Sequence, residues 1–86
     1  MKKLVTTFGQ VDFTDIKVPV IAIYNNPSDY RGYFVARVWD LNVQTDTLML
    51  KKDVESIRQD IRKHLPNLAR IPREKCDDKC LIETWL

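Results

Sequence analysis

The residues most able to do chemistry in this chain lie near its C-terminal end. Cys76-Asp77-Asp78-Lys79-Cys80 places two thiols in a CxxxC spacing, and His64 precedes them by twelve positions. A structural zinc site needs about four ligands and usually two such cysteine pairs. Here there is one pair and the single histidine of the chain. Cys76, Cys80, His64 and one aspartate make a site only if the loop folds onto the segment that ends at His64. A redox pair has the CxxC spacing, which this is not. The pair reads as two unlinked thiols, and neither metal nor cofactor is expected.

Hydrolytic chemistry finds little to work with. The serines are Ser28 and Ser56, and the glycines Gly9 and Gly32, too few for a phosphate-cradling loop. Asp12/Asp15 and Asp77/Asp78 read as turn residues rather than as an acid/base pair. A binding role is the expectation, not an enzyme. Two sets of residues could carry it.

The first set is aromatic. Residues 33–39, YFVARVW, are the clearest strand. Alternation sends Phe34, Ala36 and Val38 one way, and Tyr33, Val35, Arg37 and Trp39 the other. The second set is basic. Residues 51–75 carry eight basic and four acidic side chains, whereas residues 1–50 carry five of each. Lys51, Lys52, Arg58, Arg62, Lys63, Arg70 and Arg73 could contact a phosphate backbone. The bland reading of that excess is a solvated helix face.

The elements that must position these residues follow from periodicity. Val54, Ile57, Ile61 and Leu65 recur at steps of three and four, which predicts an amphipathic helix over about 53–64. Asp53 is placed to cap its first turn, and Pro66 stops it. A helix this short is marginal alone and must lie on something. Residues 18–24, VPVIAIY, read as a buried strand with Pro19 at its start. Residues 25–32, NNPSDYRG, are a loop long enough to carry function, with Tyr30 folding back as a packing lid. Residues 46–51 read as a strand with Leu48 and Leu50 inward and Met49 outward. Residues 67–71 are a short strand. Residues 80–86, CLIETWL, form a closing strand that alternates Leu81/Glu83/Trp85 against Ile82/Thr84/Leu86. Residues 1–17 form an N-terminal arm, with strand character over 4–8 and weaker alternation over 11–13.

The fold expected is a single α+β domain over 1–86, with one mainly antiparallel sheet of four to six strands and one helix on one face. One helix cannot cover both faces. The helix-free face should display Tyr33, Val35, Arg37, Trp39 and Trp85, a surface suited to a second copy or another protein. A stacking platform for single-stranded nucleic acid is the alternative. The opposing reading is that the N-terminal arm folds over this face and makes the tryptophans core. The 86 residues carry 44% hydrophobic and 30% charged side chains and a net charge of +2, ordinary for a globular domain and too little to require nucleic acid. No apolar run resembles a signal peptide or a membrane span, and the two cysteines then point to a reducing cytoplasm.

Asn26-Pro27-Ser28-Asp29-Tyr30, Val35-Ala36-Arg37-Val38-Trp39-Asp40 and Glu83-Thr84-Trp85-Leu86 together resemble short bacterial proteins of unassigned function, over residues 20–86. The resemblance implies a sheet–helix–sheet domain and no activity. The order strand–strand–strand–helix–strand also resembles the HicB antitoxin core. No site residue follows from either likeness.

Overall fold

A computed structural model describes residues 3–73 and 80–86. The fold is α+β, one helix on one six-stranded sheet. The strands are β1 (Lys3–Val5), β2 (Pro19–Asn25), β3 (Phe34–Asp40), β4 (Val43–Lys51), β5 (Arg70–Pro72) and β6 (Leu81–Trp85). Their order across the sheet is β1-β4-β3-β2-β6-β5. Every pairing is antiparallel except β1 with β4. Helix α1 (Val54–His64) connects β4 to the β5–β6 pair on the far side of β2.

Helix α1 starts where its chemistry says it should. The Asp53 carboxylate accepts from the Ser56 N–H at 3.2 Å, and Glu55 sits in the first turn with Arg62, Lys63 and His64 in the last. Ile57 and Ile61 are fully buried on Ile21, Ile23, Ala36, Val38 and Met49, and Val54 and Leu65 pack at the margin. Each of those isoleucines contributes about 1.5–3 kcal/mol by burial.

The face assignments need two corrections. Residues opposite one another in a ladder share a face. Ile21 pairs with Trp85 and Ile23 with Glu83, so Trp85 and Glu83 lie on the helix side with the isoleucines. Trp85 is 4% exposed and belongs to the core, not to a docking surface. Met49 likewise pairs with Ala36 and faces the helix, whereas Leu48 and Leu50 pair with Arg37 and Val35 on the other face. The Leu48-Met49-Leu50 run is apolar at every position, so alternation alone cannot orient it.

The reason Trp85 lies inward is Glu83. Its carboxylate is 2% exposed and would cost several kcal/mol to bury alone. Arg58, on the flank of the helix stripe, donates to it through Nη2 at 2.6 Å and Nε at 3.1 Å. The Trp85 indole N–H donates to it at 2.7 Å, and Arg70 Nε stands 3.7 Å away. Burial pushes the Glu83 carboxyl up, but these donors and the two guanidinium charges outweigh it and hold the group below its ordinary value. Arg58 is raised in return by its bond to Glu83.

The N-terminal arm packs on the helix side and leaves the other sheet face alone. Beyond the edge strand β1, which ends at Val5 rather than at residue 8, it forms two 3-10 turns, Phe8–Gln10 around Gly9 and Phe13–Asp15, and the weak alternation over 11–13 makes no strand. Phe8 is buried against the core, and its N–H donates to Asp60 Oδ2 at 2.6 Å.

Two outcomes follow. Arg58→Met should lose about 3–5 kcal/mol in urea unfolding, because it strands a buried carboxylate. Adding Glu83→Gln should recover part of that loss, since a neutral amide still accepts from Trp85. Because Glu83 titrates lower in the folded chain, its contribution is present above the unfolded value of about 4.3 and is lost as pH falls through the folded value. Urea midpoints measured from neutral to acid pH should therefore fall less steeply for Glu83→Gln than for the parent.

Candidate interaction site on the helix-free sheet face

The face away from α1 is built by alternate residues of three central strands. Val20, Ala22 and Tyr24 of β2 stand opposite Trp39, Arg37 and Val35 of β3. Gln44, Leu48 and Leu50 of β4 stand opposite Trp39, Arg37 and Val35 from the other side. Between Arg37 and Trp39 the register shifts, and the Thr45 hydroxyl donates to the Val38 carbonyl at 2.7 Å to hold that bulge. Arg37 lies at the centre, with Ala22 on one side and Leu48 on the other.

The loop after β2 supplies the cover that a second helix would otherwise give. Its ends are tied together: Asn26 N–H donates to the Tyr33 carbonyl at 2.9 Å, and Gly32 N–H donates to Asn26 Oδ1 at 2.7 Å. Asn26 and Gly32 both have positive φ, 52° and 83°, which asparagine tolerates and glycine adopts freely. A turn from Pro27 to Tyr30 sits between them, and Pro27 is buried. This closure carries Asp29 and Tyr30 back over the sheet. Arg37 Nη2 donates to Asp29 Oδ2, and the Arg37 Cζ stands 6.0 Å from the Tyr24 ring centre and 5.9 Å from that of Tyr30. Tyr30 folds back as expected, and its ring lies beside a guanidinium.

Beside Arg37 lies a depression of about 470 Å³ lined by Tyr24, Pro27, Ser28, Asp29, Gln44 and Cys80 as well as Arg37 itself. A smaller one of about 220 Å³ is lined by Arg37, Gln44, Thr45, Asp46 and Leu48. Arg37 and Gln44 are common to both. The Trp39 indole N–H is buried with no hydrogen-bond acceptor among the described residues.

Of the expected docking residues, Arg37 and Trp39 are half-buried on this face and Val35 is fully buried in its floor. The Tyr33 ring is covered by the Lys52 ammonium at 3.9 Å. Trp85 is on the opposite side. Asp29, Tyr24 and the depression were not identified from the sequence as site features. The turn residues of 25–32 signal the loop, but not the direction in which it folds.

The basic set is not gathered into one surface. Arg58 is held by Glu83, Arg62 lies 3.6 Å from Glu55 and 5.7 Å from the centre of the Trp85 ring, and Arg70 leans toward Glu83. Lys52 donates to the Gly32 carbonyl at 3.3 Å. Arg73, beyond β5, is exposed and also engaged. Lys51 sits at the end of β4, and Lys63 is exposed on α1; neither has an acidic partner among the described residues.

His64 lies apart from Cys80, in contact with the N-terminal arm. Thr7 Oγ1 is 2.7 Å from Asp60 Oδ1 and 3.1 Å from His64 Nε2. A carboxylate only accepts, so the single hydroxyl proton of Thr7 goes to Asp60, and His64 Nε2 carries a proton that it donates to Thr7. Gly9 packs so closely that a Cβ there would lie 2.9 Å from His64 Cε1. The cluster fastens the arm to the helix. Cys76 lies outside the described residues, and no group of three metal-ligating side chains occurs among the described ones. No helix among them is long and apolar enough to cross a membrane.

No family model, curated protein or solved structure matches this chain.

The loop closure predicts a local effect. Gly32→Ala should cost about 1–2 kcal/mol, because the left-handed backbone is strained for alanine. Asn26→Gly keeps the backbone freedom but removes the Oδ1 acceptor. In both variants the Tyr30 ring resonances should shift, while amide protection in α1 falls only as far as global stability does.

Proposed function

We propose that the protein is a small non-catalytic interaction module that engages a protein partner, a second copy or another chain, through the helix-free sheet face. The observation that carries this reading is Arg37. It lies at the centre of that face, 12% exposed, between two tyrosine rings and beside an open depression. Arginine, tyrosine and tryptophan are the residues enriched at the energetic centres of interfaces, especially where they are already partly shielded from water. Trp39 lies two residues away on the same strand face, and its N–H has no acceptor among the described residues. Such a buried orphan donor is uncommon and is relieved by any rearrangement that brings an acceptor.

This reading drops Trp85 and retains Arg37 and Trp39, with Val35 as floor and Tyr33 at the margin. The nucleic-acid reading gains no support of its own. Three of its arginines are drawn toward Glu83 and Glu55, and the net positive charge is spread over helix, strand ends and loop rather than along one groove.

Light scattering across a concentration series should show association beyond the monomer mass of 10.1 kDa, or the chain should recover a partner in affinity capture. Trp39→Ala and Arg37→Glu should each reduce that association by tenfold or more, the roughly 1.4 kcal/mol or more of an interface centre. A strict monomer whose captured partners are the same with and without Trp39→Ala would rule the reading out.

A further inference from the structure

The two ends of the helix-free face differ. Loop 26–32 folds over one end, and the β3–β4 turn, Leu41-Asn42, stands at the other. Of six large apolar side chains exposed among the described residues, four gather at the turn end: Val18, Leu41, Val43 and Leu86, each between 43% and 63% exposed. Val43 pairs with Asp40 at the foot of the turn. Val18 precedes Val20 by two positions and Leu86 follows Trp85, so alternation puts both on the helix-free face, beside Val20 and Trp39. Single exposed apolar residues are ordinary, whereas a cluster of them marks a contact.

The turn that carries this cluster is strained and rigid. Leu41 has φ 56°, the left-handed region, which is unfavourable for a bulky branched side chain. Asn42, a residue that tolerates such a backbone, stands in the next position instead. Turn chemistry therefore does not account for the leucine. Its N–H donates to the Val18 carbonyl at 2.8 Å, and the Asp40 carboxylate accepts from the N–H groups of Val18 at 3.0 Å and Lys17 at 3.4 Å. These bonds tie the start of β2 to the turn. An apolar side chain held in water by a strained, fixed backbone has little freedom left to lose on contact.

We propose that this end of the face is the contact between two copies of the chain related by a two-fold axis, with Leu41 as its anchor. The inference rests on the docking reading above and narrows it to self-association at one end of the face. Charge selects the occupant. The ionised groups of the face, Arg37 with Asp29 and Asp46 beside them, lie further from the turn. Lys17 and Asp40 alternate to the helix side, since Asp40 pairs with Pro19 there. A patch without ionised groups has nothing with which to select a charged ligand. Set against itself by a two-fold axis, it places apolar on apolar and opposes no like charges. Area sets the strength. The patch runs from β6 to β4, four adjacent strands. That is about 19 Å across the sheet, and its depth along the strands is about 10 Å. Two copies meeting there bury less than the roughly 1,200 Å² of a stable complex. The dimer is therefore weak and reversible, with a Kd of about 0.1–1 mM.

The test is sedimentation equilibrium of the full chain through the millimolar range, with amide shifts followed by NMR over the same concentrations. The expected result is a monomer–dimer equilibrium in which the amides of Val18, Leu41, Asn42, Val43 and Leu86 shift with concentration. Raising salt from about 50 to about 500 mM should leave the dimer intact, whereas a contact between charges would loosen. Leu41→Asn should weaken the dimer by about tenfold or more and also raise the urea midpoint, because asparagine accepts the left-handed backbone. A leucine that serves the turn alone would give the higher midpoint with association unchanged, and that outcome overturns the inference. Val18→Thr leaves the turn residues in place and should weaken the dimer about threefold or more, so it decides the matter if Leu41→Asn disturbs the hairpin. Concentration-dependent shifts confined to another surface, or a strict monomer through the millimolar range, also overturn it. If association is lost in Trp39→Ala but kept in Leu41→Asn and Val18→Thr, the docking reading survives and this inference falls. The same holds for a monomer that captures a different protein and loses it with Trp39→Ala. A chain that neither associates nor captures a partner removes both.

Discussion

The buried carboxylate of Glu83 constrains more of this fold than any other single group. An ionised carboxylate enters a protein interior only if its charge is matched and its lone pairs are filled. Arg58 meets it from the helix with two donors, Trp85 from its own strand with one, and Arg70 from β5 adds charge. Those bonds link α1 to β6, and β6 is the strand that joins the β5 edge to β2. A one-residue slip of β6 would turn Glu83 to the far face, out of reach of Arg58, and turn the Trp85 indole away from the helix with it. Hydrophobic pattern alone would not resist that slip, because CLIETWL offers apolar residues to both faces. The ion pair supplies the register that the pattern leaves open.

Once the helix side is closed in this way, the other face has to be sheltered by something other than regular structure. Val20, Ala22, Val35 and Leu48 are buried there although no helix lies over them. The loop 26–32 folds back over part of the face, tied at its ends by Asn26 and Gly32. Arg37 extends the cover: it stands opposite the small Ala22, and its head is held by Asp29 and lies near the two tyrosine rings. One helix is indeed too narrow for a six-stranded sheet, but a short closed loop and one arginine do much of the remaining work. The apolar area left in water is therefore smaller than two exposed tryptophans would have made it, and the open part of the face is mixed in polarity.

How much of this could be read in advance divides along local and non-local lines. The helix was legible at both ends, because capping by Asp53 and termination at Pro66 are properties of neighbouring residues. The α+β class and single sheet were legible from element order. Arg37 stood out as a charge within an otherwise apolar and aromatic set. What could not be read is where a residue finds its partner far along the chain. Asp60 receives Phe8 and Thr7 from more than fifty positions away, and nothing in the spacing of the arm announces it. Trp85 was placed on the wrong face because alternation divides a strand into two sets without saying which set faces inward. The one available signal was Arg58, a cation on the border of the apolar stripe, with Glu83 as the acid of the last strand. Met49 shows the same limit from another cause, since three consecutive apolar residues carry no alternation at all.

The two polar clusters outside the core differ in one respect that bears on what each can do. Around Thr7 every bond is accounted for. The hydroxyl gives its proton to Asp60 and accepts from His64 and from the Gly9 N–H at 3.3 Å, so both lone pairs and the proton are in use. A saturated cluster of this kind fixes the arm and has nothing left to offer a ligand. Around Arg37 the count does not close. Its charge is matched by Asp29, but only one of its donors is bonded among the described residues, and none of its nitrogens is buried without a partner, so water reaches the rest. Donors bonded only to water remain available to an incoming acceptor, whereas those of the Thr7 cluster do not. That difference, rather than the number of aromatic residues nearby, is why recognition is assigned to the Arg37 face and anchoring to the Thr7–Asp60–His64 cluster.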